Sequence, residues 1–416
     1  MKIAYVTTSF GSLSHTFIRR EISELKSLGV DVSLYGVRPE ISKELSSKDK
    51  NLIKSTLYTY PLRPIGVLNA NLWFLFNKPI NYLKATITAL FNEESSLWKH
   101  LILIYHFFLS SYIALDMREN KIEHIHAHFM NVSSTIAMFC SELLNLPFSI
   151  TVHSAGIKSL REMTGLKQKL KESKFICSIS NYNKRYINKI YPCKNKTYVV
   201  RAPGVDPSKH YSRVNHIDLL NEDSLELLAV GRLVEKKGFE YLIKAANILK
   251  KDNMHFRLNI IGEGPLKHDL ERLVEELNLS NGVFLKGSCS SEKVKRAYDN
   301  ADITVVPSVV SSTGEMEGIP VVIMESMILG VPVIATKHSG IPEIIKEKET
   351  GLLIPEKNPE AIARAIKRLA KDRKLRKICI ENGKKLVNEE YNVKNVAKFK
   401  KKLFNTKLLD SKSCFK

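Results

Sequence analysis

The chain alternates short apolar runs with stretches in which apolar residues recur every three or four positions, the pattern of strands and helices taken in turn. Residues 3–8 read as a strand; Phe17, Ile18, Ile22 and Leu25 then repeat at helical spacing, Gly29 ends that helix, and residues 30–37 form a second strand. Further strands are expected at 122–128, 148–152, 175–180 and 197–200. Polar residues from Asp206 to Ser224 interrupt the pattern, as a linker would. A second series follows at 225–230, 256–261, 283–285, 303–306, 333–335 and 351–354. Repeated strand, loop and helix implies parallel sheets covered on both faces. The expected fold is α/β: two Rossmann-like, doubly wound domains facing across a cleft, 1–206 and 207–391, then a basic helix at 392–416 that could return to the first domain.

Residues 60–117 fit less simply. Trp73, Phe74, Phe76, Tyr82, Phe91 and Trp98 are mixed with Lys78, Lys84 and Lys99. Helices are expected, and a layer packed on the amino-terminal sheet is preferred over an interfacial surface dipping into lipid headgroups, because apolar stripes of this kind more often face a core. The longest apolar run, 101–115, is broken by His106, Ser110 and Ser111 and is short for a bilayer span. No transmembrane helix and no leader segment are expected.

Length supports two domains, since 416 residues exceed a single typical core. Six cysteines without paired short spacing suggest neither a zinc site nor a disulfide framework, and fit a reducing cytosol. The formal charge of +21 calls for an anionic partner: nucleic acid, an anionic membrane surface, or phosphorylated substrates. No nucleic-acid-binding signature is present, so that class is the weakest. From Asn392 onward eight lysines stand against one aspartate, interleaved with Val396, Phe399, Leu403 and Phe404. Such a run is usually a solvated helix face; the sharper reading is contact with a membrane surface.

Candidate chemistry concentrates at residues 314–330. The apolar run at 303–307 empties into a polar loop, and a helix is expected to open near Pro320 and close at Gly330. Free amides at Gly318, Ile319 and Pro320's helix suit an anionic group. Glu317 and Glu325 would be repelled by phosphate, so they are better suited to sugar-like hydroxyls. Arg232 and Lys237 follow the first strand of the second domain, where cations can meet a leaving group that gains charge. Gly262-Glu263-Gly264-Pro265, Lys286 and Gly287 follow the next two strands. In the first domain Gly11 lies in the first loop and His153 ends a strand.

Taken together, Glu-Gly-Ile-Pro-Val-Val-Ile-Met-Glu from Glu317, Gly-Arg-Leu with Glu-Lys-Lys-Gly-Phe from Gly231, the Gly-x-Gly-Pro turn and Phe-Ser-Ile-Thr-Val-His-Ser-Ala from Phe148 resemble the retaining GT-B glycosyltransferases of the group 1, paired-glutamate type, nearest to exopolysaccharide and colanic-acid enzymes. The resemblance implies a nucleotide diphosphate sugar (UDP- or GDP-linked) as donor and no cofactor. Arg232 and Lys237 would meet the diphosphate, Glu317 the sugar and Glu325 the ribose. Gly11, Gly264 and Lys286 would border the nucleotide, and His153 would contact a sugar hydroxyl. The family's proline and glutamate in the first loop are replaced by Gly11 and His15, and an aspartate after the histidine by Gly156. Acceptor contacts are therefore not carried over.

The implied activity is metal-independent transfer of a hexose to a saccharide, lipid-linked in an exopolysaccharide, capsule or lipopolysaccharide pathway. No Asp-x-Asp occurs to hold a divalent ion. The protein is expected in the cytoplasm or peripherally on the inner membrane face. Two alternatives stand: a sugar-nucleotide 2-epimerase, which would turn over donor without acceptor, and a non-enzymatic module that binds polyanions or membranes through its charge.

Overall fold

The computed structural model describes residues 1–10, 16–40, 47–91, 96–154, 164–193, 196–202, 204–207 and 224–406. The chain divides into two compact units: Met1–Val200 with the segment that begins at Lys394, and Arg201–Val393. Most of the polar stretch read as a linker falls at 208–223, outside the described residues.

The first unit is built on seven parallel strands, β1 (Lys2–Thr7), β2 (Asp31–Gly36), β3 (Thr56–Tyr58), β4 (His124–His128), β5 (Phe148–Val152), β6 (Phe175–Ser178) and β7 (Thr197–Val199). Their order is β3-β2-β1-β4-β5-β6-β7, which puts the reversal of winding between β1 and β4. Its helices are α1 (Thr16–Ser27), α2 (Ser47–Lys54), α3 (Pro64–Asn77), α4 (Pro79–Leu90), α5 (Leu97–Glu119), α6 (Val132–Leu144), α7 (Leu166–Glu172) and α8 (Asn181–Ile190). β1 reads as an unbroken apolar run because Ile3, Ala4, Tyr5 and Val6 are all buried between two helical layers. β4 alternates instead. Ile125 and Ala127 join the core beneath α5 and α6, while His124, His126 and His128 point to the opposite face.

β3 was not expected. It is a three-residue edge strand, and Gly36 opposite it leaves room for the Tyr58 ring: a Cβ there would lie 2.4 Å from that ring. The apolar run judged too short to span a bilayer belongs to the 23-residue α5, which by length and composition alone could cross one. Serine and histidine interrupt hydropathy without breaking a helix, and Ser110 returns its hydroxyl to the His106 carbonyl.

The second unit carries six parallel strands, β8 (Leu225–Val230), β9 (Phe256–Ile261), β10 (Val283–Leu285), β11 (Ile303–Val306), β12 (Val333–Thr336) and β13 (Leu352–Ile354). Their order is β10-β9-β8-β11-β12-β13, so winding reverses between β8 and β11. The helices are α9 (Phe239–Lys251), α10 (Lys267–Glu276), α11 (Ser291–Asn300), α12 (Val321–Leu329), α13 (Ile341–Ile344), α14 (Pro359–Lys371) and α15 (Arg373–Glu390). Its core, built on Leu227, Ile243, Ile260 and Ile366, is separate from that of the first unit. The last helix, α16 (Val393–Asn405), packs with the first unit. α12 starts one residue later than the sequence suggested, with Pro320 flanking its first turn and Gly330, at φ 84°, ending it.

Candidate functional site

In an open parallel sheet, ligands meet the chain where winding reverses, beyond the carboxyl ends of the strands. In the second unit that point lies between β8 and β11. β8 runs into Gly231 and Arg232, and a short 3-10 turn, Glu235–Lys237, leads to Gly238 and α9. Gly238 has φ 65°, and a Cβ on it would lie 2.0 Å from the Pro307 carbonyl oxygen at the end of β11. Only glycine lets the two loops approach this closely.

That approach joins two of the expected residues. Lys237 Nζ lies 3.1 Å from Glu317 Oε2, and Lys236 Nζ lies 3.4 Å from Glu315 and 4.0 Å from Glu317. Burial opposes ionisation of Glu317, but Lys237 and Lys236 outweigh it and hold the carboxyl below its ordinary range. Arg232 is exposed and makes no ion pair among the described residues. Glu325 lies half-buried within α12. The start of α12 carries no side-chain cap and no acid in its first turn; the Ile323 N–H already meets the Pro320 carbonyl, which leaves the Val321 and Val322 amides to an anion.

The loop that carries Glu317 is fixed by residues the sequence reading missed. The Glu317 N–H donates to His338 Nε2 at 3.1 Å, and His338 Nδ1 lies 2.7 Å from Glu356 Oε1. Those contacts assign the proton to Nδ1. Glu356 also accepts from the Val310 N–H, and Glu235 accepts from both the N–H and the hydroxyl of Ser312. His338 follows β12, and nothing in its spacing from Glu317 marked it as a partner.

Gly262 and Gly264 sit against the first loop. A Cβ on Gly262 would be 1.8 Å from the Gly231 carbonyl, and one on Gly264 2.4 Å from that of Leu233. The Gly262 N–H donates to the Gly287 carbonyl, which laces three strand ends together. Lys286 is at the same sheet edge, but its ammonium turns back onto the Phe284 ring, 4.6 Å from the centroid.

In the first unit His153 follows β5 and is nearly buried. Its Nε2 meets His128 Nδ1 at 2.9 Å, and its ring packs against Phe17 and Phe129. Behind it runs a buried polar chain. His128 Nε2 lies 3.4 Å from Glu21 Oε1, which also accepts from the Tyr5 hydroxyl at 2.6 Å and from Lys400 at 2.7 Å. Lys400 donates to Thr151 Oγ1, which meets His126 Nε2; Ser149 Oγ meets His126 Nδ1 and His124 Nε2. Burial works against the Glu21 charge, yet Lys400 and His128 prevail and keep it well below the ordinary carboxylate range. Burial, then Lys400, hold His126 neutral. Glu21, His126 and His128 have metal-ligand spacing, but the Lys400 ammonium already occupies the cationic position among them. Gly11, His15 and Gly156 lie outside the described residues.

The structure superposes on Anabaena HepE, solved in complex with UDP and glucose, with a TM-score of 0.70 at 14% identity, covering 97% of this chain and 99% of that one. At such identity the likeness is one of fold, and the fold is the two-domain, Rossmann-like GT-B class. Residues 214–386 match the model of the glycosyl transferases group 1. It is 38% identical over 174 residues to a putative colanic acid biosynthesis glycosyltransferase, WcaL, of Escherichia coli, covering 42% of each chain. It is 39% identical over 178 residues to the amylovoran biosynthesis glycosyltransferase AmsK of Erwinia amylovora, covering 43% of each. The chain thus spans less than half the length of these two curated relatives.

Proposed function

We propose that the protein is a retaining hexosyltransferase that takes its sugar from a nucleotide diphosphate donor, UDP- or GDP-linked, and passes it to a lipid-linked saccharide in exopolysaccharide synthesis, without a metal ion. The observation that carries this reading is the Lys237–Glu317 pair beside Arg232 at the β8/β11 switch point. One arm is cationic and suits a diphosphate; the other is an ionised acid that suits hydroxyl groups.

In this reading Arg232, Lys237 and the amides from Gly318 to the first turn of α12 receive the diphosphate. As the bond from the anomeric carbon to the phosphate oxygen breaks, that oxygen gains charge, and fixed cations stabilise it more than the ground state. The freed oxygen accepts the proton of the acceptor hydroxyl while the new bond forms on the same face of the ring. Glu317 is assigned to sugar hydroxyls, Glu325 to the ribose, and Gly264 and Lys286 to the surroundings of the nucleotide. The first unit's catalytic assignment falls on His153, whose ring is fixed by His128. Colanic acid and amylovoran in the relatives' names support the polymer class, and UDP and glucose in the HepE complex support the donor class.

The test is incubation with labelled UDP- and GDP-sugars, with and without a membrane extract supplying lipid-linked acceptor. Label in the lipid fraction only when acceptor is present, with the anomeric configuration kept, is the expected result. Donor epimerised in the absence of acceptor, or donor bound and never consumed, would overturn it.

A further inference from the structure

Of 18 exposed large apolar side chains among the described residues, all but Met1 and Ile378 fall between Leu62 and Phe108. They are not scattered. On α3 they are Ile65, Leu68, Leu72, Leu75 and Phe76; on α4, Ile80, Leu83, Ile87 and Leu90; on α5, Leu97, Trp98, Leu101, Tyr105 and Phe108. Each set follows helical spacing, so each helix carries an outward apolar stripe in addition to the face it buries. The inward faces are separate residues: Ala70 and Phe74, Ala85 and Ala89, Leu103 and Phe107.

The three helices are fastened to one another. Asn71 of α3 donates to the Phe108 carbonyl of α5, and Tyr82 of α4 donates to Asn71. The outward stripes therefore lie on neighbouring helices, and the largest side chains at their ends stand well clear: Phe76 is 77% exposed, Ile80 82% and Phe91 78%. Soluble monomers rarely leave so much adjoining apolar surface uncovered.

Charge selects the occupant. Within residues 61–115 the bases are Arg63, Lys78, Lys84 and Lys99, and the acids are Glu93 and Glu94, which lie outside the described residues. Helices α3 and α4 and the first half of α5 thus carry bases and no acid. Lys78 sits at the junction of α3 and α4, beside Phe76 and Ile80. Apolar stripes bordered by lysines and carrying tryptophan and tyrosine match the boundary between headgroups and acyl chains. A second copy on this face would set the same lysines against each other.

We propose that α3, α4 and the first half of α5 form a docking surface for an anionic lipid bilayer, which they enter as far as the headgroup boundary. α5 lies along that boundary and does not cross, because Leu103, Phe107, Ile113, Ala114 and Met117 are shut inside the unit's core. The basic α16 is not part of this surface. Phe404 packs on His124 and His126, on the sheet face opposite Ile125 and Ala127, which lie under α5 and α6. The proposal stands on exposure and charge alone and does not depend on any transferase activity.

Flotation of the full chain with phosphatidylcholine vesicles, with and without phosphatidylglycerol, tests it. Binding is expected only to the anionic vesicles and is expected to weaken at high salt. The combined variant Phe76→Ser, Phe91→Ser and Trp98→Ser, and separately Lys78→Glu with Lys84→Glu, should each lose about tenfold or more in vesicle affinity. All these positions are outward, so thermal melts should match the parent. The idea is overturned by a parent chain that ignores anionic vesicles, by variants that bind as well as the parent, or by retention in vesicles after an alkaline carbonate wash. A parent dimer in light scattering that the serine variant abolishes would also overturn it, by giving the face to a second copy.

Discussion

Lys237 and Glu317 hold each other in place before any ligand arrives. Glu317 is nearly out of water, and its charge persists because two ammonium groups lie within 4.0 Å. Replacing Lys237 with alanine removes the closer cation, and a hydrogen bond from a charged side chain to a bound diphosphate is worth about 1.5–3 kcal/mol. Lys237→Ala, and likewise Arg232→Ala, should therefore lower kcat/KM for transfer by roughly ten- to a hundredfold, and Arg232→Ala, which breaks no ion pair among the described residues, should melt like the parent. Normal kinetics in both would remove the diphosphate assignment. The pair also fixes a pH dependence. With Lys237 present the Glu317 carboxyl is held low, so its ionised form survives into mildly acidic solution. Without it, burial dominates and the carboxyl climbs. The acid limb of a kcat/KM profile should move to higher pH in Lys237→Ala, and an unmoved limb would show that Glu317 does not titrate in the reaction.

At the scale of elements, α16 is fastened within the first unit by a buried ammonium, a second lysine and an aromatic ring. Lys400 meets Glu21 and Thr151, Lys401 donates to the Leu28 carbonyl past the end of α1, and Phe404 packs on Phe175. Lys400→Met leaves Glu21 buried without its counter-charge, and breaking such a pair costs about 3–5 kcal/mol. Glu21→Gln combined with Lys400→Met should recover most of that loss. The sign with pH separates this from simple loss of packing. In the parent, a depressed Glu21 carboxyl adds stability above its unfolded pKa, lost only as pH falls through the folded value. In Lys400→Met burial raises that carboxyl, so the deficit in urea stability should shrink as pH is lowered toward the ordinary carboxylate range. A deficit that stays constant with pH would mean the charge pair is not its source.

The same elements show what sequence could and could not tell. Most strands were legible because strands buried on both faces read as continuous apolar runs. β3, Thr56–Tyr58, is half-buried along its whole length and so carries no apolar run to mark it. The histidines of β4 alternate with Ile125 and Ala127, a period-two signal that marked a strand but not its polar partners. Glu21 and Lys400 are 379 positions apart, and no local spacing links them. In the second unit Lys237 and Glu317 could be put at one sheet edge in advance because each follows a strand, but their ion pair was not expected. His338 and Glu356 went unmarked, since their part is to orient a loop. The helices at 60–117 were read as core, and the structure shows why that was half the answer: each is apolar on two faces, and one is outward.

At the scale of the molecule, the chain passes from the first unit to the second at Val200 and back at Val393. Both crossings enter the second unit side by side. The Val205 N–H donates to the Tyr391 carbonyl and the Val393 N–H to that of Val205, while Arg201 reaches Glu343 at 3.2 Å and Glu390 at 3.3 Å. A Cβ on Gly204 would lie 2.6 Å from Val393 Cα, so a bare backbone is needed where the two segments meet. Since the second unit has its own sheet and core, and its ends are joined to each other, residues 201–393 should fold alone. Expressed by itself, that fragment should unfold in urea in a single cooperative step, with the m-value expected of a domain its size. Because Arg232, Lys237, Glu317 and Glu325 all lie within it, it should also bind UDP or GDP while failing to transfer sugar. A fragment that folds yet binds neither nucleotide would place the donor site outside this unit. One with no cooperative transition would show that the second core depends on the first.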